Sequence, residues 1–291
     1  MSNTEHPIIP REKLDFDLAA ADIPKYWFDG DAFKTRFFDA MSTLFPEGER
    51  FFILCVRDYR DQITDPHLLQ EIKDFIRQEA QHSLVHGQFN DRLRAQGIPV
   101  DALEKGLRFM FDKFARKYGP KATTLSDTAA TEHLTAIMAH SFFVSKDMMH
   151  GADPRVRAVF AWHAMEEIEH KSVAFEVLTK YAKVGYLRRV ASLLSVTFGF
   201  NLYTFAVAFY MLWRDNLGPW QLTKAVVKGL WWLYKPGGLY LSSFKHYIEY
   251  FKPGFHPWQT GEMDLYQTWR EAFDRSGDPI QAGERMYATL G

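Results

Sequence analysis

The stretch Trp162-His163-Ala164-Met165-Glu166-Glu167-Ile168-Glu169-His170 determines how we interpret the fold of this chain. It contains a Glu-x-x-His pattern, and residues three apart lie on the same face of a helix. The same pattern occurs earlier in the chain, as Glu79-Ala80-Gln81-His82. A single pair of this kind is common by chance. Two pairs in strongly helical stretches predict a helical bundle in which each pair binds a metal ion.

Two isolated glutamates complete the pattern. A bundle site for two metals also needs one lone glutamate from each of two further helices. Glu49 precedes the first pair and Glu132 lies between the two pairs, which is the required order. Both lie in apolar stretches, where a carboxylate is costly to bury unless it is paired or bound to metal. The alternative is that these are solvated helix faces with accidental histidines, and the apolar neighbours argue against it.

His163 adds a further candidate ligand. It precedes Glu167 by four residues and His170 by seven. At about 100° per residue, the three side chains fall within an arc of about 60° on one helix face. We therefore predict His163 as a seventh ligand, with a core histidine bonded to a backbone carbonyl as the alternative. We interpret His86 as a histidine beside the ligands or at the surface, rather than as a ligand.

The donor types indicate which metal the site binds. The predicted ligands are Glu49, Glu79, His82, Glu132, His163, Glu167 and His170. Carboxylate and imidazole donors suit two iron ions, and the single cysteine, Cys55, excludes a thiolate-rich site. Manganese is a less favoured alternative. Zinc also fits less well, because zinc sites usually take only three or four protein ligands. Glu166 and Glu169 flank Glu167, and we expect them to point to water or to Lys171.

Composition limits the classes of partner. The chain has 291 residues and a formal net charge of −1, which gives no indication of a nucleic-acid partner. The 25 Phe, 13 Tyr and 8 Trp indicate a wide apolar interior or an apolar or aromatic substrate. The polar stretch from Met1 to Asp17 lacks an apolar run of signal-peptide length, and a lone cysteine fits a reducing compartment. We therefore expect a cytoplasmic protein.

Helical periodicity extends over nearly the whole chain, and strand signals are scarce. We predict an all-α fold with one domain over 1–291. A ferritin-like four-helix bundle covers about 31–183, and extra C-terminal helices cover about 184–291. Pro46 is expected to end the first helix near Leu44 and to open a second one. Further helices are predicted over about 66–95, 101–117, 126–150 and 153–183.

Val190 to Trp213 is a run of 24 residues without a formal charge. Its length is that of a membrane-spanning helix, but five hydroxyl and amide side chains reduce its hydrophobicity. We favour a helix buried in the bundle. The alternative is peripheral membrane contact through 190–213, with tryptophans as interface anchors. The anchors would be Trp213, Trp220, Trp231 and Trp232.

Three stretches resemble a bacterial family called predicted metal-dependent hydrolases. They are Phe45-Pro46-Glu47-Gly48-Glu49-Arg50-Phe51-Phe52, Gln78-Glu79-Ala80-Gln81-His82 and the segment Trp162–Lys171. The similarity extends over most of the chain and includes Gly254-Phe255-His256-Pro257-Trp258. The family name implies a metal-dependent hydrolytic enzyme.

The metal motif alone also resembles that of p-aminobenzoate N-oxygenase type diiron enzymes. Those enzymes likewise add a third histidine four residues before the second Glu-x-x-His pair. This resemblance implies the same ligand roles for the seven residues named above and implies O2 chemistry. We therefore expect a non-haem diiron oxygenase or oxidase that uses O2, an external electron donor and a small apolar or aromatic substrate. The alternatives are a dimetal hydrolase with a metal-bridging water and a non-enzymatic iron-binding protein. A homodimer is also expected.

Overall fold

The computed structural model describes residues 7–143, 146–259 and 263–290. Within these ranges the regular structure is helical, and the one β element is an isolated bridge between Phe28 and Ala152. The all-α prediction is therefore confirmed.

The helices follow one another from Ala32 to Ala288. They are α1 Ala32–Arg57, α2 Pro66–Ala95, α3 Val100–Arg108, α4 Lys121–Phe142, α5 Pro154–His170, α6 Val173–Glu176, α7 Tyr186–Arg214, α8 Pro219–Tyr234, α9 Leu239–Glu249, α10 Met263–Ser276 and α11 Pro279–Ala288. Two of them continue in π-helical geometry, α3 over Phe109–Ala115 and α6 over Val177–Tyr181.

Helices α1, α2, α4 and α5 form the centre of the molecule. Contacts join α1 to α2, α2 to α5, α5 to α4 and α4 back to α1. Three of these helices start where the sequence favours it, because the side chains of Asp31, Asp65 and Asp153 accept hydrogen bonds from first-turn backbone N–H groups. The four-helix centre agrees with the predicted bundle, whereas the ferritin-like assignment stays a prediction.

Helix α1 runs without a break through Pro46, so the predicted helix end near Leu44 is wrong. Proline has no N–H, and the carbonyl of Ser42, four residues earlier, therefore loses its helical donor. The side-chain amide of Asn90 on α2 donates to that carbonyl at 3.0 Å. A hydrogen bond from the neighbouring helix thus replaces the one that proline removes, and α1 continues far enough to carry Glu49.

Two other predicted boundaries also differ. The helix expected over 126–150 is α4, which starts earlier, after Pro120, and ends at Phe142. The helix expected over 153–183 is interrupted, because α5 ends at His170 and a turn at Lys171 and Ser172 precedes α6. Helix α2 has the predicted bounds.

Helices α7, α8 and α9 cover one side of the bundle. Helix α7 packs on α1 and α4, α8 packs on α1, and α9 packs on α4. The approach of α8 to α1 requires a glycine, because a Cβ atom at Gly229 would lie 1.9 Å from the ring of Phe33. On the other side, α11 packs against α5.

Helix α7 contains the uncharged run 190–213. Within the described residues it is the one helix whose length and composition would allow it to cross a membrane. Only 28% of its most apolar window is buried. Leu193, Phe200 and Met211 face the bundle, whereas Phe198 and Trp213 are exposed. The predicted burial of this helix therefore holds for its inner face alone.

Candidate metal centre

The seven predicted ligands come together in the middle of the four-helix centre. Glu49 lies on α1, Glu79 and His82 on α2, Glu132 on α4, and His163, Glu167 and His170 on α5. All seven are buried, and the most accessible, His163, is 6% exposed. The Glu-x-x-His spacing works as predicted, because the pairs on α2 and α5 face the same interior space.

The donor atoms form two groups, each compact enough for one metal ion. One consists of Glu49, His82 and His163, and the other of Glu79, Glu167 and His170. Within each group the donor atoms lie within 4.8 Å of one another. Glu132 adjoins the second group, since its Oε2 lies 3.3 Å from His170 Nε2.

Glu167 lies between the two groups. Its Oε1 is 3.0 Å from His163 Nε2, 3.6 Å from His170 Nε2 and 3.8 Å from His82 Nδ1. Its Oε2 accepts a hydrogen bond from the hydroxyl of Thr135. A carboxylate oxygen close to imidazole nitrogens from both groups is in the position that a metal-bridging carboxylate would take.

Many of these buried donor atoms have no hydrogen-bond partner. They are Glu49 Oε1, both carboxylate oxygens of Glu79 and of Glu132, and His82 Nδ1. His170 Nε2 lies 3.0 Å from Glu79 Oε1 and 3.3 Å from Glu132 Oε2, but neither contact is well directed for a hydrogen bond. Buried polar atoms without partners are rare and costly in folded proteins. Metal ions among these atoms would satisfy them, so the residues fit a pair of divalent cations.

The pKa values of the buried carboxyl groups also indicate that the site needs positive charge. Burial, together with repulsion from Glu79, raises the pKa of Glu49 well above its ordinary value. Burial and repulsion from Glu132 do the same to the pKa of Glu79. The pKa of Glu132 rises to about 7, through burial and then through Glu167. Burial alone would lower the pKa of His170, yet Glu132 and Glu167 raise it well above its ordinary value. The carboxylates can be ionised together only beside positive charge.

A chain of hydrogen bonds orients His163. Its Nδ1 lies 2.7 Å from His86 Nε2, and His86 Nδ1 lies 2.9 Å from Ser42 Oγ. The Ser42 hydroxyl donates its one proton to Asn90 Oδ1, so it must accept from His86 Nδ1–H. His86 Nε2 then accepts from His163 Nδ1–H. In the neutral ring this tautomer leaves His163 Nε2 without a proton, 3.0 Å from Glu167 Oε1, so a proton or a metal ion is needed between these two atoms.

The other two histidines have outer partners of the same kind. His170 Nδ1 lies 2.9 Å from Gln78 Oε1, and Gln78 Nε2 donates to Glu169 Oε2 at 2.6 Å. His82 Nε2 lies 3.2 Å from Glu166 Oε2, although the angle there is poor for a hydrogen bond. Such outer partners fix the ring and tautomer of a metal-binding histidine. Each of the three rings therefore turns one nitrogen towards the carboxylates.

A family model described as predicted metal-dependent hydrolase matches residues 10–261. The chain belongs to this family. The matched range includes all seven predicted ligands, and it confirms the family resemblance seen in the sequence. No curated protein and no solved structure matches the chain.

The prediction that Glu166 and Glu169 point to water or to Lys171 is wrong. Glu166 and Glu169 are buried, and both form ion pairs with Arg11, at 3.1 Å and 2.8 Å. Glu169 also accepts from the hydroxyl of Tyr266 at 2.7 Å. The sequence did contain an indication of this. Three glutamates lie within four positions of an apolar helix, so they cannot all lie on one solvent-facing side of it.

A small cavity adjoins the donors in this family member. Its volume is about 20 Å³. It is lined by Phe45, Thr135, Met138, Ala139, Phe142, Phe160, His163, Ala164 and Glu167. A larger groove of about 700 Å³ lies between the segment 15–25 and α2, and none of the seven donors lines it.

The stretch Gly254–Trp258, part of the family resemblance, is not among the donors. His256 Nε2 lies 3.1 Å from Glu176 Oε1, and the indole N–H of Trp258 donates to Ser172 Oγ at 2.9 Å. These contacts brace the turn that follows His170.

Proposed function

We propose that this protein is an oxidoreductase that activates O2 at two iron ions and oxidises a small apolar substrate. The observation that carries the proposal is the donor set, four carboxylates and three imidazoles buried together in a helical bundle. Carboxylate and imidazole donors without thiolate suit iron. When bound, two iron ions would supply the redox chemistry that O2 reduction requires, with electrons from an external donor.

The two donor groups assign the ligands to two metal positions. We expect Glu49, His82 and His163 to hold one ion, and Glu79, His170 and Glu132 to hold the other. Glu167, with Oε1 near nitrogens of both groups, would join them. The oxygens of Glu49, Glu79 and Glu132 that lack partners give these carboxylates freedom to change their binding mode.

The cavity beside His163 and Glu167 supports an apolar reactant. Its lining is mostly aromatic and aliphatic, and at about 20 Å³ it has room for roughly one water-sized molecule. A nonpolar molecule such as O2 fits this space. A larger substrate would enter only if side chains such as Met138 or Phe142 moved. Exclusion of bulk water by the same residues protects reactive species from side reactions.

Hydrolysis is the second candidate, and the family description favours it. Two metal ions can lower the pKa of a bridging water and orient it for attack. A hydrolase also needs groups that stabilise an oxyanion or protonate a leaving group. Among the residues that line the cavity, Thr135 is the only polar side chain besides the two donors, and its hydroxyl is bonded to Glu167.

The two functions are separated by loading the full-length protein anaerobically with Fe(II) and then admitting O2. We expect uptake of about two iron ions per chain, O2 consumption and a change in visible absorption. A zinc-loaded sample should do none of the redox chemistry, because zinc is redox-inactive. Glu79→Ala is the inactive control, because it removes one carboxylate from the group that we expect to hold the second metal ion.

The opposite pattern would reject the oxidoreductase. Cleavage of ester or amide substrates by zinc- or manganese-loaded protein without O2, with an iron form inert towards O2, would establish the hydrolase. Tight iron binding with neither reaction would indicate a non-enzymatic iron-binding protein.

A further inference from the structure

Helix α7 exposes an apolar stripe along its whole length. The exposed residues recur every four or seven positions on the face turned away from the bundle, and they are Leu187, Leu194, Phe198, Leu202, Phe209 and Trp213. Leu187 is 81% exposed and Phe198 is 71% exposed. The opposite face of α7 is buried against α1 and α4. A helix with one face in the core and an equally apolar outer face is unusual for a surface helix.

Helices α8 and α9 continue this exposed apolar surface. On α8 it consists of Trp220, Val227, Leu230, Trp231 and Tyr234, and on α9 of Leu241, Phe244 and Ile248. Hydrogen bonds tie α9 to α7, from Tyr240 to Asn201 and between Thr197 and Tyr247. All three helices pack on α1 or α4. Their exposed sides therefore point away from the bundle on one side, and we call this surface the outer face.

The segment that forms the outer face carries an excess of positive charge, although one of its arginines, Arg189, is buried. Residues 184–254 contain eight Lys and Arg but only two Asp and Glu, an excess of six positive charges in a chain whose formal net charge is −1. Lys224, Lys228, Lys245 and Lys252 are exposed. One of the two acids, Asp215, is paired with Arg36 and Lys25. Exposed apolar and aromatic side chains among lysines match the headgroup region of an anionic bilayer.

We propose that the outer face docks on an anionic membrane surface, with α7, α8 and α9 lying in the plane of the interface. Trp213, Trp220 and Trp231 are placed to anchor it, because tryptophan prefers the headgroup region.

The packing of α7 argues against a helix that crosses the bilayer. Its inner residues Met211 and Leu212 are fully buried in the core. The hydroxyl of Tyr203 contacts Thr43 on α1 at 3.0 Å, and Asp215 at its end pairs with Arg36 at 2.7 Å. To span a bilayer, the helix would have to leave these partners.

The charge argues against a second copy as the occupant. A two-fold symmetric dimer places the same patch of both chains face to face. Two surfaces that both carry exposed lysines and few acidic side chains would then face each other, and their like charges would repel.

Vesicle flotation of the full-length protein tests the proposal. Vesicles of phosphatidylcholine alone are compared with vesicles that also contain phosphatidylglycerol. We expect binding to the anionic vesicles. The triple variant Leu194→Ser/Phe198→Ser/Leu202→Ser should weaken it by at least about tenfold, since it removes apolar area that would insert. Leu84→Ser is the matched control, because Leu84 is an exposed leucine on α2.

A charge variant tests the electrostatic part separately. Lys224→Glu/Lys228→Glu should weaken binding to anionic vesicles by about tenfold or more, because it replaces two lysines that such a surface attracts with two carboxylates that it repels. High salt should weaken the wild type in the same direction. Helical circular dichroism and metal content, measured on each variant, confirm that the bundle is intact.

Three outcomes would overturn the proposal. The first is no vesicle binding, whether the protein is monomeric or forms a dimer that the triple variant dissociates. The second is equal binding to neutral and anionic vesicles that the charge variant leaves unchanged. The third is a protein released from membranes only by detergent, which would indicate a spanning helix. None of these readouts depends on the metal-centred activity.

Discussion

His163 is the predicted ligand whose orientation depends most on its neighbours. Its Nδ1 is engaged by His86, whose other nitrogen is held by Ser42. Nε2 is thereby left to face Glu49 and Glu167. These hydrogen bonds hold the ring in one orientation, which is the role of the outer partners of metal-binding histidines.

Replacing His163 should therefore remove one metal without unfolding the bundle. We expect His163→Ala to bind about one metal ion per chain where the wild type binds two, because Glu49 and His82 alone make a weak site. Metal analysis after dialysis, with thermal unfolding of the same samples, measures this. His67→Ala is the control, since His67 is a half-exposed histidine that pairs with Glu71. Two tightly bound ions in His163→Ala would remove this residue from the ligand set.

The clustering of the candidate ligands could be predicted from the sequence, because spacing along a helix determines which side chains share a face. Glu79 and His82 share a helix face, as do His163, Glu167 and His170, and no tertiary information is needed. Glu49 and Glu132 could be predicted only from their order and apolar setting. The outer partners could not, because the contacts of Gln78 with Glu169 and of Glu166 with Arg11 join segments that are far apart in the sequence.

At the scale of elements, Pro46 shows why one helix boundary was wrong. The cost of an interior proline is a carbonyl without a donor, here that of Ser42. Asn90 supplies the donor from α2, 48 residues away, and its Oδ1 accepts from the Ser42 hydroxyl. A local sequence rule predicts a break at proline, and a tertiary hydrogen bond overrides it.

Because Asn90 replaces the hydrogen bond that Pro46 removes, the effects of substituting the two residues on stability should be coupled. Asn90→Ala should lower the free energy of unfolding by about 1–3 kcal/mol, because it leaves the buried Ser42 carbonyl unpaired. Pro46→Ala supplies a helical N–H to the same carbonyl. In that background Asn90→Ala should cost less, by roughly 1 kcal/mol. Denaturant unfolding of the two single variants and the double variant measures the coupling. Additive effects would show that the amide does not compensate for the proline.

Asp215 links the end of α7 to α1 and gives a prediction for pH dependence. Burial would raise its pKa, but hydrogen bonds from Arg36 and Lys25 lower it below the ordinary 3.8. A carboxyl with a depressed pKa stabilises the fold above its ordinary pKa, and this stabilisation is lost as the pH falls through the lower, folded-state value.

We therefore expect Asp215→Asn to cost about 2 kcal/mol at neutral pH, less than the loss of a lone buried pair, because Asp39 still contacts Arg36. The difference between variant and wild type should shrink as the pH falls below the ordinary pKa of 3.8 and through the lower, folded-state pKa. Unfolding of metal-free protein across this range measures it. Glu271→Gln, an exposed carboxylate paired with Arg275, should change stability little at any pH.

At the scale of the whole molecule, the two ends of the chain meet behind the metal centre. Arg11 precedes the first helix and pairs with Glu166 and Glu169 on α5. Tyr266 on α10 donates to Glu169. The partners of Glu169 are 158 and 97 residues away in sequence, so no spacing rule could have predicted them. The outer face likewise could not be predicted from the sequence. The uncharged run 190–213 predicted an apolar helix but not which side of that helix is exposed.

Arg11 provides the positive charge for two buried carboxylates, and those carboxylates adjoin the outer nitrogen of His82 and, through Gln78, that of His170. Arg11→Met keeps much of the packing on Trp269, 5.0 Å away, while removing the charge. Two buried carboxylates then lack their cation, so we expect a loss of about 3–5 kcal/mol in the free energy of unfolding.

The same substitution should lower metal affinity by about 10–100-fold, because the outer partners of two ligands are no longer held in place. Metal titration and denaturant unfolding of the full-length protein measure both effects. Arg77→Met is the matched control, since Arg77 is 54% exposed and pairs with Glu12 at the surface. It should cost less than about 1 kcal/mol and leave metal affinity unchanged. If Arg11→Met behaved like Arg77→Met in both measurements, Arg11 would not contribute to stability or to metal affinity. The segment before α1 would then only cover the surface of the bundle.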